Sequence, residues 1–167
     1  TFAPRALALL RLREVLGLRS CINTVCRMLN PAQATCAVQG VFHPPYLTLQ
    51  QAAGAILGQP ALCILKGGGG EFECNPSKPT TLYRLADATA VETLLPPIIS
   101  EVQRLQDLPY PPQALADLWV GHLQNPFATG VVVATTASAM IALGHSPTAA
   151  QATAQTLWTE RSHSLAA

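Results

Sequence analysis

The sequence predicts an α/β fold, a sheet packed against helices, on three observations. Apolar strand-like runs alternate with amphipathic segments of helical period through the first half of the chain. One of those runs, Ala61-Leu62-Cys63-Ile64-Leu65, is continuously apolar and bounded by Pro60 and Gly67. That pattern suits a parallel strand buried on both faces. The last part of the chain reads as helices in series, the layer that would close one face of the sheet.

Taken in order, Ala6 to Leu16 carries Leu9, Leu12 and Leu16 at helical spacing, and Gly17 follows where glycine favours a helix stop. Ser20 can cap a second helix by accepting from the orphan amides of its first turn, and Asn30-Pro31 stops that helix. Thr35 to Phe42 reads as a strand, broken by His43-Pro44-Pro45. Leu47 to Leu57 is amphipathic and ends at Gly58. After the buried run come a lysine and four glycines, Lys66 to Gly70, then Glu71-Phe72-Glu73. Thr80 to Leu85 is a further strand, expected at a sheet edge, and prolines at 96–97, 109 and 111–112 punctuate a loop-rich connection. Ala114 to Leu123, Phe127 to Leu143 and Thr148 to Arg161 are three helices, the last capped by Ser146 with Pro147 at its first position.

At 167 residues the chain can bury one sizeable core and hardly two, so residues 1–167 are read as one α/β domain. It is 49% apolar and 11% charged, a surface so poor in charge that it suggests a partner or a missing neighbour. The net charge of +1 supplies no global field for nucleic acid or membrane. The charge is unevenly placed: Arg5, Arg11, Arg13, Arg19 and Arg27 face one acid, Glu14, at the start of the chain. The five cysteines are odd in number and form no CxxC pair, which fits a reduced, cytoplasmic protein. No charged-then-apolar leader opens the chain, and the apolar stretch from Asn125 to Leu143 is interrupted by Pro126, Gly130, Thr and Ser, as suits a buried helix and no membrane partner.

Three groups could carry chemistry. Lys66-Gly67-Gly68 fails as a phosphate loop, because the lysine precedes the glycines and no Gly-Lys-Ser/Thr follows. It still follows the buried strand, and α/β proteins place ligands at strand carboxyl ends, where bare glycine amides approach closely. Glu71 and Glu73 lie two residues apart, on one side if the segment is extended, and could hold Mg²⁺ through hard oxygen donors. The spacing equally suits two solvated acids. Arg13 and Arg19, near a helix end, could bind a carboxylate or phosphate, although solvated arginines are common there. Neither the four histidines nor any serine forms a recognisable nucleophile setting, Trp119 and Trp158 are expected in the core, and at 5% aromatic residues are too few for a base-stacking platform.

Phe2-Ala3-Pro4, Arg13, Leu16-Gly17-Leu18-Arg19-Ser20, Asn23 and Leu29-Asn30-Pro31-Ala32 together resemble the middle of the anthranilate phosphoribosyltransferase family. Gln39 to Phe42, Leu62 to Glu73 and Ala137 to Gly144 are similar to later elements of that family in the same order. The resemblance implies the carboxyl-terminal portion of a nucleoside-phosphorylase-like catalytic domain, in a homodimer. It implies transfer of phosphoribose from phosphoribosyl diphosphate, with Mg²⁺, to an aromatic amine. Arg13 would face the acceptor, with Arg19, Asn23, Gly67 and Gly68 as substrate-binding residues. The family's acidic metal pair falls on Phe72 and Glu73, so the glutamate alone survives, and a glycine-proline step falls on Cys26-Arg27. The family's diphosphate-binding loop and dimerising helical domain would precede Thr1. The departures around Gly68 to Pro76 are similar to a divergent branch thought to bind nucleic acid, so a catalytically inactive nucleic-acid-binding homodimer is the alternative expectation. On either reading the arginine-bearing helices and the acidic turn are expected to meet at one pocket.

Overall fold

The computed structural model describes residues 4–18, 21–68, 71–104 and 111–163. They fall into two compact units, Thr1–Ala34 and Thr35–Ala167.

The first unit holds α1 (Pro4–Leu16) and α2 (Cys21–Arg27). Gly17 ends α1 with a left-handed φ of +68°, and its amide donates to the Arg13 carbonyl at 2.9 Å. α2 stops earlier than Asn30-Pro31 requires. Its end tightens, with Met28 N donating to Val25 O and Leu29 N to Cys26 O. Asn30 holds the exit by bonding both backbone groups of Ala34, donating to O at 2.7 Å and accepting from N at 2.9 Å. The apolar stripe of α1 is where sequence and structure differ. No residue of Pro4–Leu16 is buried, and Leu9, Leu12 and Leu16 are all exposed.

The second unit is α/β. A four-stranded mixed sheet runs in the order β1 (Ala37–Val41), β2 (Ala61–Lys66), β3 (Thr80–Ala86), β4 (Thr89–Leu95). β1 and β2 are parallel, joined through α3 (Pro45–Ile56), and β3 and β4 run antiparallel to their neighbours. α3 packs on one face, where buried Gln51 donates to the carbonyls of Arg84 (2.7 Å) and Val91 (3.3 Å). Two antiparallel-paired strands are thereby tied to a helix by one amide group. α5 (Pro126–Ala142) and α6 (Pro147–Thr159) form the layer on the other face, with α4 (Gln113–Val120) beside them. The main core lies there: Cys63, Leu65, Leu82 and Leu95 of the sheet against Val133, Ala137 and Ile141 of α5 and Ala150 and Ala154 of α6. Small residues on α5 and α6 let the helices approach one another and the sheet. β2 is buried from Leu62 to Leu65, as its continuous apolar run predicts.

Both helix starts in this layer are chemically specified. Asn125 Oδ1 accepts from Ala128 N (2.8 Å) ahead of Pro126, and Ser146 Oγ accepts from Ala149 N (3.3 Å) ahead of Pro147. α4 ends at Val120, short of the expected Leu123, because Gly121 turns left-handed.

β4 was not legible as a strand, and β3 is therefore interior instead of at an edge. The two are joined by the two-residue turn Asp87-Ala88, with φ of +49° and +62°. Such primed turns suit the right-handed twist of a hairpin and normally signal themselves as Asn-Gly or Asp-Gly. Here the second position is alanine, whose Cβ is strained at positive φ. An Ala88→Gly chain is expected to gain about 0.5–1 kcal/mol, read as a raised denaturation midpoint with an unchanged m-value; an unchanged or lowered midpoint would contradict the turn assignment.

Candidate functional site

The carboxyl end of β2 opens into a cleft of about 600 Å³. Lys66, Gly67 and Gly68 line it from the strand end, and Thr80 and Thr81 line it from the amino end of β3, which runs antiparallel alongside. Glu73, Asn75 and Lys78 enter from the connection between those strands, and Arg104 from the stretch after β4. This is the position where open α/β sheets hold ligands.

The connection is fixed by the scaffold beneath it. Its first half crosses β1 and the β2 end at two glycines. A Cβ on Gly40 would overlap the Glu71 carbonyl and lie 2.7 Å from Phe72 N, and one on Gly67 would also overlap the Glu71 carbonyl. Glycine is needed at both places because backbone passes directly over them. Gly67 N also donates to Val41 O at 3.0 Å, extending the parallel pairing one step past β2. The second half is pinned to α5 and to the segment after β4. Cys74 N donates to Thr135 Oγ1 at 3.0 Å. Pro76 O accepts from Ile98 N (2.8 Å) and Ile99 N (3.1 Å). Asn75 Nδ2 donates to Gln103 O at 2.8 Å, while Asn75 Oδ1 accepts from Ser77 N and Oγ at 2.9 and 2.7 Å. Gln103 N in turn donates to Ser77 Oγ at 3.3 Å.

The electrostatics of the cleft are cationic. Lys66, Lys78 and Arg104 line it together with one carboxylate, Glu73. Among the described residues no carboxylate lies within ion-pair distance of any of the three. The Lys66 ammonium stands 5.8 Å from the centroid of Phe42, at the end of β1.

Of the residues singled out from sequence, Gly67, Gly68 and Glu73 come together in this cleft. Glu71 contributes its backbone to the crossing, and its side chain is not part of the cleft wall. Arg13 is in the last turn of α1 and exposed, and Asn23 is half-buried in α2; both belong to the first unit. Arg19 lies outside the described residues, as do Gly69 and Gly70. Sequence reasoning missed Lys78, Asn75 and Arg104. Nothing in a linear pattern brings residues 75 and 103 together; a hydrogen-bonded clamp across 28 residues does. Mg²⁺ is usually held by one or two carboxylates plus substrate phosphates. Glu73 fits that sparse donor set. Among the described residues no three His, Cys, Asp or Glu side chains group as a preformed metal cage.

A second cleft, about 560 Å³, lies between α4, the start of α5 and the end of α6. Its most polar group is committed to structure. Arg161 stacks on Trp158, 3.7 Å from the ring centroid, and donates to the carbonyls of Trp119 (2.9 Å), Trp158 (2.7 Å) and Leu118 (3.2 Å). A cation thus satisfies the terminal carbonyls of two helices and meets the negative ends of both macrodipoles. Trp119 is not a core residue as expected: it is 39% exposed and meets Trp158 edge-on at 6.1 Å. Arg161→Met keeps the stem and removes the donors. It is expected to cost about 1–2 kcal/mol, read by chemical denaturation; no change would show the guanidinium bonds to be replaced by water at no cost.

No helix among the described residues is long and apolar enough to cross a membrane. No family model matches the chain. Over 83 residues, 50% of the chain, it is 40% identical to an uncharacterized protein of Aquifex aeolicus (strain VF5). Over 81 residues, 48% of the chain, it is 32% identical to an anthranilate phosphoribosyltransferase of Polynucleobacter necessarius subsp. necessarius (strain STIR1). The matches span 27% and 24% of those relatives, about a quarter of their length. The second of them supports a distant link to anthranilate phosphoribosyltransferase.

Proposed function

We propose that this chain is part of a glycosyltransferase of the phosphoribosyltransferase type, joining phosphoribose from phosphoribosyl diphosphate to an aromatic amine of the anthranilate kind. The observation that carries the reading is Glu73 facing a cation-lined cleft at the carboxyl end of β2. The similarity to an anthranilate phosphoribosyltransferase supports it over half of the chain.

In this reading the cleft receives the diphosphate end of the donor. Glu73, the one carboxylate of the cleft wall among the described residues, would hold Mg²⁺, which when bound screens charge developing on the diphosphate leaving group. The Cβ side of Gly67 is taken by the Glu71 backbone, so close approach of the phosphates falls to the bare backbone at Gly68. Arg13 is assigned to the acceptor, as a bidentate partner for its carboxylate, with Arg19 and Asn23 beside it in sequence. Little covalent work falls to the protein, since orienting two substrates can itself lower the barrier by roughly 7–11 kcal/mol in favourable cases. Homodimerisation belongs to the same proposal.

The test is calorimetric titration of the protein, at its full natural length, with phosphoribosyl diphosphate and Mg²⁺, followed by assay with anthranilate and related amines. Binding and product formation, with turnover lowered at least tenfold in Glu73→Gln, are expected. Absence of both heat and thermal protection would remove the transferase reading.

A further inference from the structure

We infer that Lys78 and Arg104 form a phosphate subsite that grips the diphosphate end of a ligand directly, without a divalent cation. The assignment deepens the donor-site reading above and rests on it for the identity of the ligand, although not for the presence of an anion.

Three features converge on it. First, Lys78 and Arg104 come from segments far apart in sequence yet line one cleft, together with Lys66. All three side chains reach solvent, and their like charge gives the concavity a positive potential that an anion would meet. Second, among the described residues no acid neutralises that charge. No carboxylate is within ion-pair distance of any of the three among the described residues, and Glu73 alone lines the cleft with them. Third, the positions are enforced by neutral hydrogen bonds one residue away from each cation. Asn75 Nδ2 donates to Gln103 O at 2.8 Å and Ser77 Oγ accepts from Gln103 N at 3.3 Å, which holds the backbone of Arg104 beside the turn that carries Lys78. Pro76 O adds two backbone bonds from Ile98 and Ile99. The backbone that carries Lys78 and Arg104 is thus held by bonds that an anion does not have to supply.

The chemistry of the lining favours phosphate. A guanidinium offers a planar pair of donors and an ammonium offers a compact charge, and phosphate accepts both. Thr80 and Thr81 line the same wall with hydroxyl groups. Three cations against one carboxylate match a ligand of several negative charges, which a diphosphate has and a sugar monophosphate approaches less closely. Glu73 in the same wall fits a metal arriving with that ligand, while Lys78 and Arg104 supply affinity of their own. Asn75 is a positioning residue, acting through Gln103 on Arg104.

The experiment is titration of the protein with inorganic pyrophosphate and, separately, with ribose 5-phosphate, each in excess EDTA and in Mg²⁺. Pyrophosphate is expected to bind in EDTA, more tightly than ribose 5-phosphate. Lys78→Met and Arg104→Met are each expected to weaken it at least tenfold. Lys78→Arg is expected to retain most of the affinity, which separates loss of charge from loss of fold, and circular dichroism of each variant checks the fold directly. Asn75→Ala is expected to weaken binding with the cations intact. Pyrophosphate binding that vanishes in EDTA, equal or tighter binding of ribose 5-phosphate, or folded Met variants with unchanged affinity would each overturn the assignment. The two readings fail separately. Turnover of phosphoribosyl diphosphate with EDTA-sensitive pyrophosphate binding sinks the subsite alone. EDTA-resistant pyrophosphate binding without turnover sinks the transferase alone.

Discussion

A Gly40→Ala chain is expected to be destabilised by about 1–3 kcal/mol, the range for forcing an extra carbon into a packed site. The added Cβ would overlap the Glu71 carbonyl and crowd Phe72 N. Those are backbone atoms, so no rotamer change can relieve the contact. β1 is paired to β2 from Ala37 to Val41 and has little freedom to retreat. The crossing segment must therefore lift, and it leads directly into Glu73. The effect reaches the cleft as well as the fold: pyrophosphate affinity is expected to fall in Gly40→Ala even at temperatures where the variant is fully folded. The checks are a denaturant titration and a pyrophosphate titration on the same sample. A variant with wild-type midpoint and wild-type affinity would show that the 71–72 crossing is not seated on β1 as described. Gly67→Ala, which meets the same carbonyl from the end of β2, is expected to behave alike.

That dependence explains which parts of the site could be read from sequence. The elements were legible where a local signal exists. Continuous apolarity marked β2, Asn and Ser before proline marked the starts of α5 and α6, and glycine marked the ends of α1 and α3. β4 gave no such signal, because Thr89-Ala-Val-Glu-Thr-Leu-Leu alternates weakly and its turn carries alanine where glycine would announce it. With β4 unseen, β3 was misplaced at an edge. The cleft was half legible. Gly67, Gly68 and Glu73 follow a recognisable strand, and position after such a strand is itself a signal. Lys78 and Arg104 carry none: a lysine after a turn and an arginine in a proline-rich stretch are each ordinary on a surface. The bonds from Asn75, Pro76 and Ser77 to the segment after β4 bring them to one cleft, and such a clamp is a property of the folded chain. The buried thiols show the same division. Cys63 in an apolar run reads as a small hydrophobe, but its closeness to Cys74 comes from the fold.

Those thiols set the largest expected dependence on conditions. Burial pushes Cys63 up to about 12, with Cys74 adding to the rise and Arg84 opposing it. Burial likewise pushes Cys74 up to about 11, partly offset by the hydroxyl of Ser138. In the unfolded chain both titrate near the ordinary value of 9.0. Above that pH the unfolded state sheds protons that the folded state keeps, so the unfolded state binds fewer protons and stability falls with rising pH. The contribution is whole below pH 9.0 and is lost as pH climbs through about 11 and then about 12. Each thiol gives a slope of up to about 1.4 kcal/mol per pH unit while it differs between the two states, so several kcal/mol are at stake across the window. Tyrosines and lysines also titrate there, which is why the informative quantity is a difference. A Cys63→Ala, Cys74→Ala chain pays for its lost volume at neutral pH but is expected to lose stability more slowly than the wild type from pH 9 to 11. Parallel alkaline slopes for the two proteins in denaturant titrations would mean that these thiols ionise as readily in the folded chain as in the unfolded one, and that the sheet face beneath α5 is open to water.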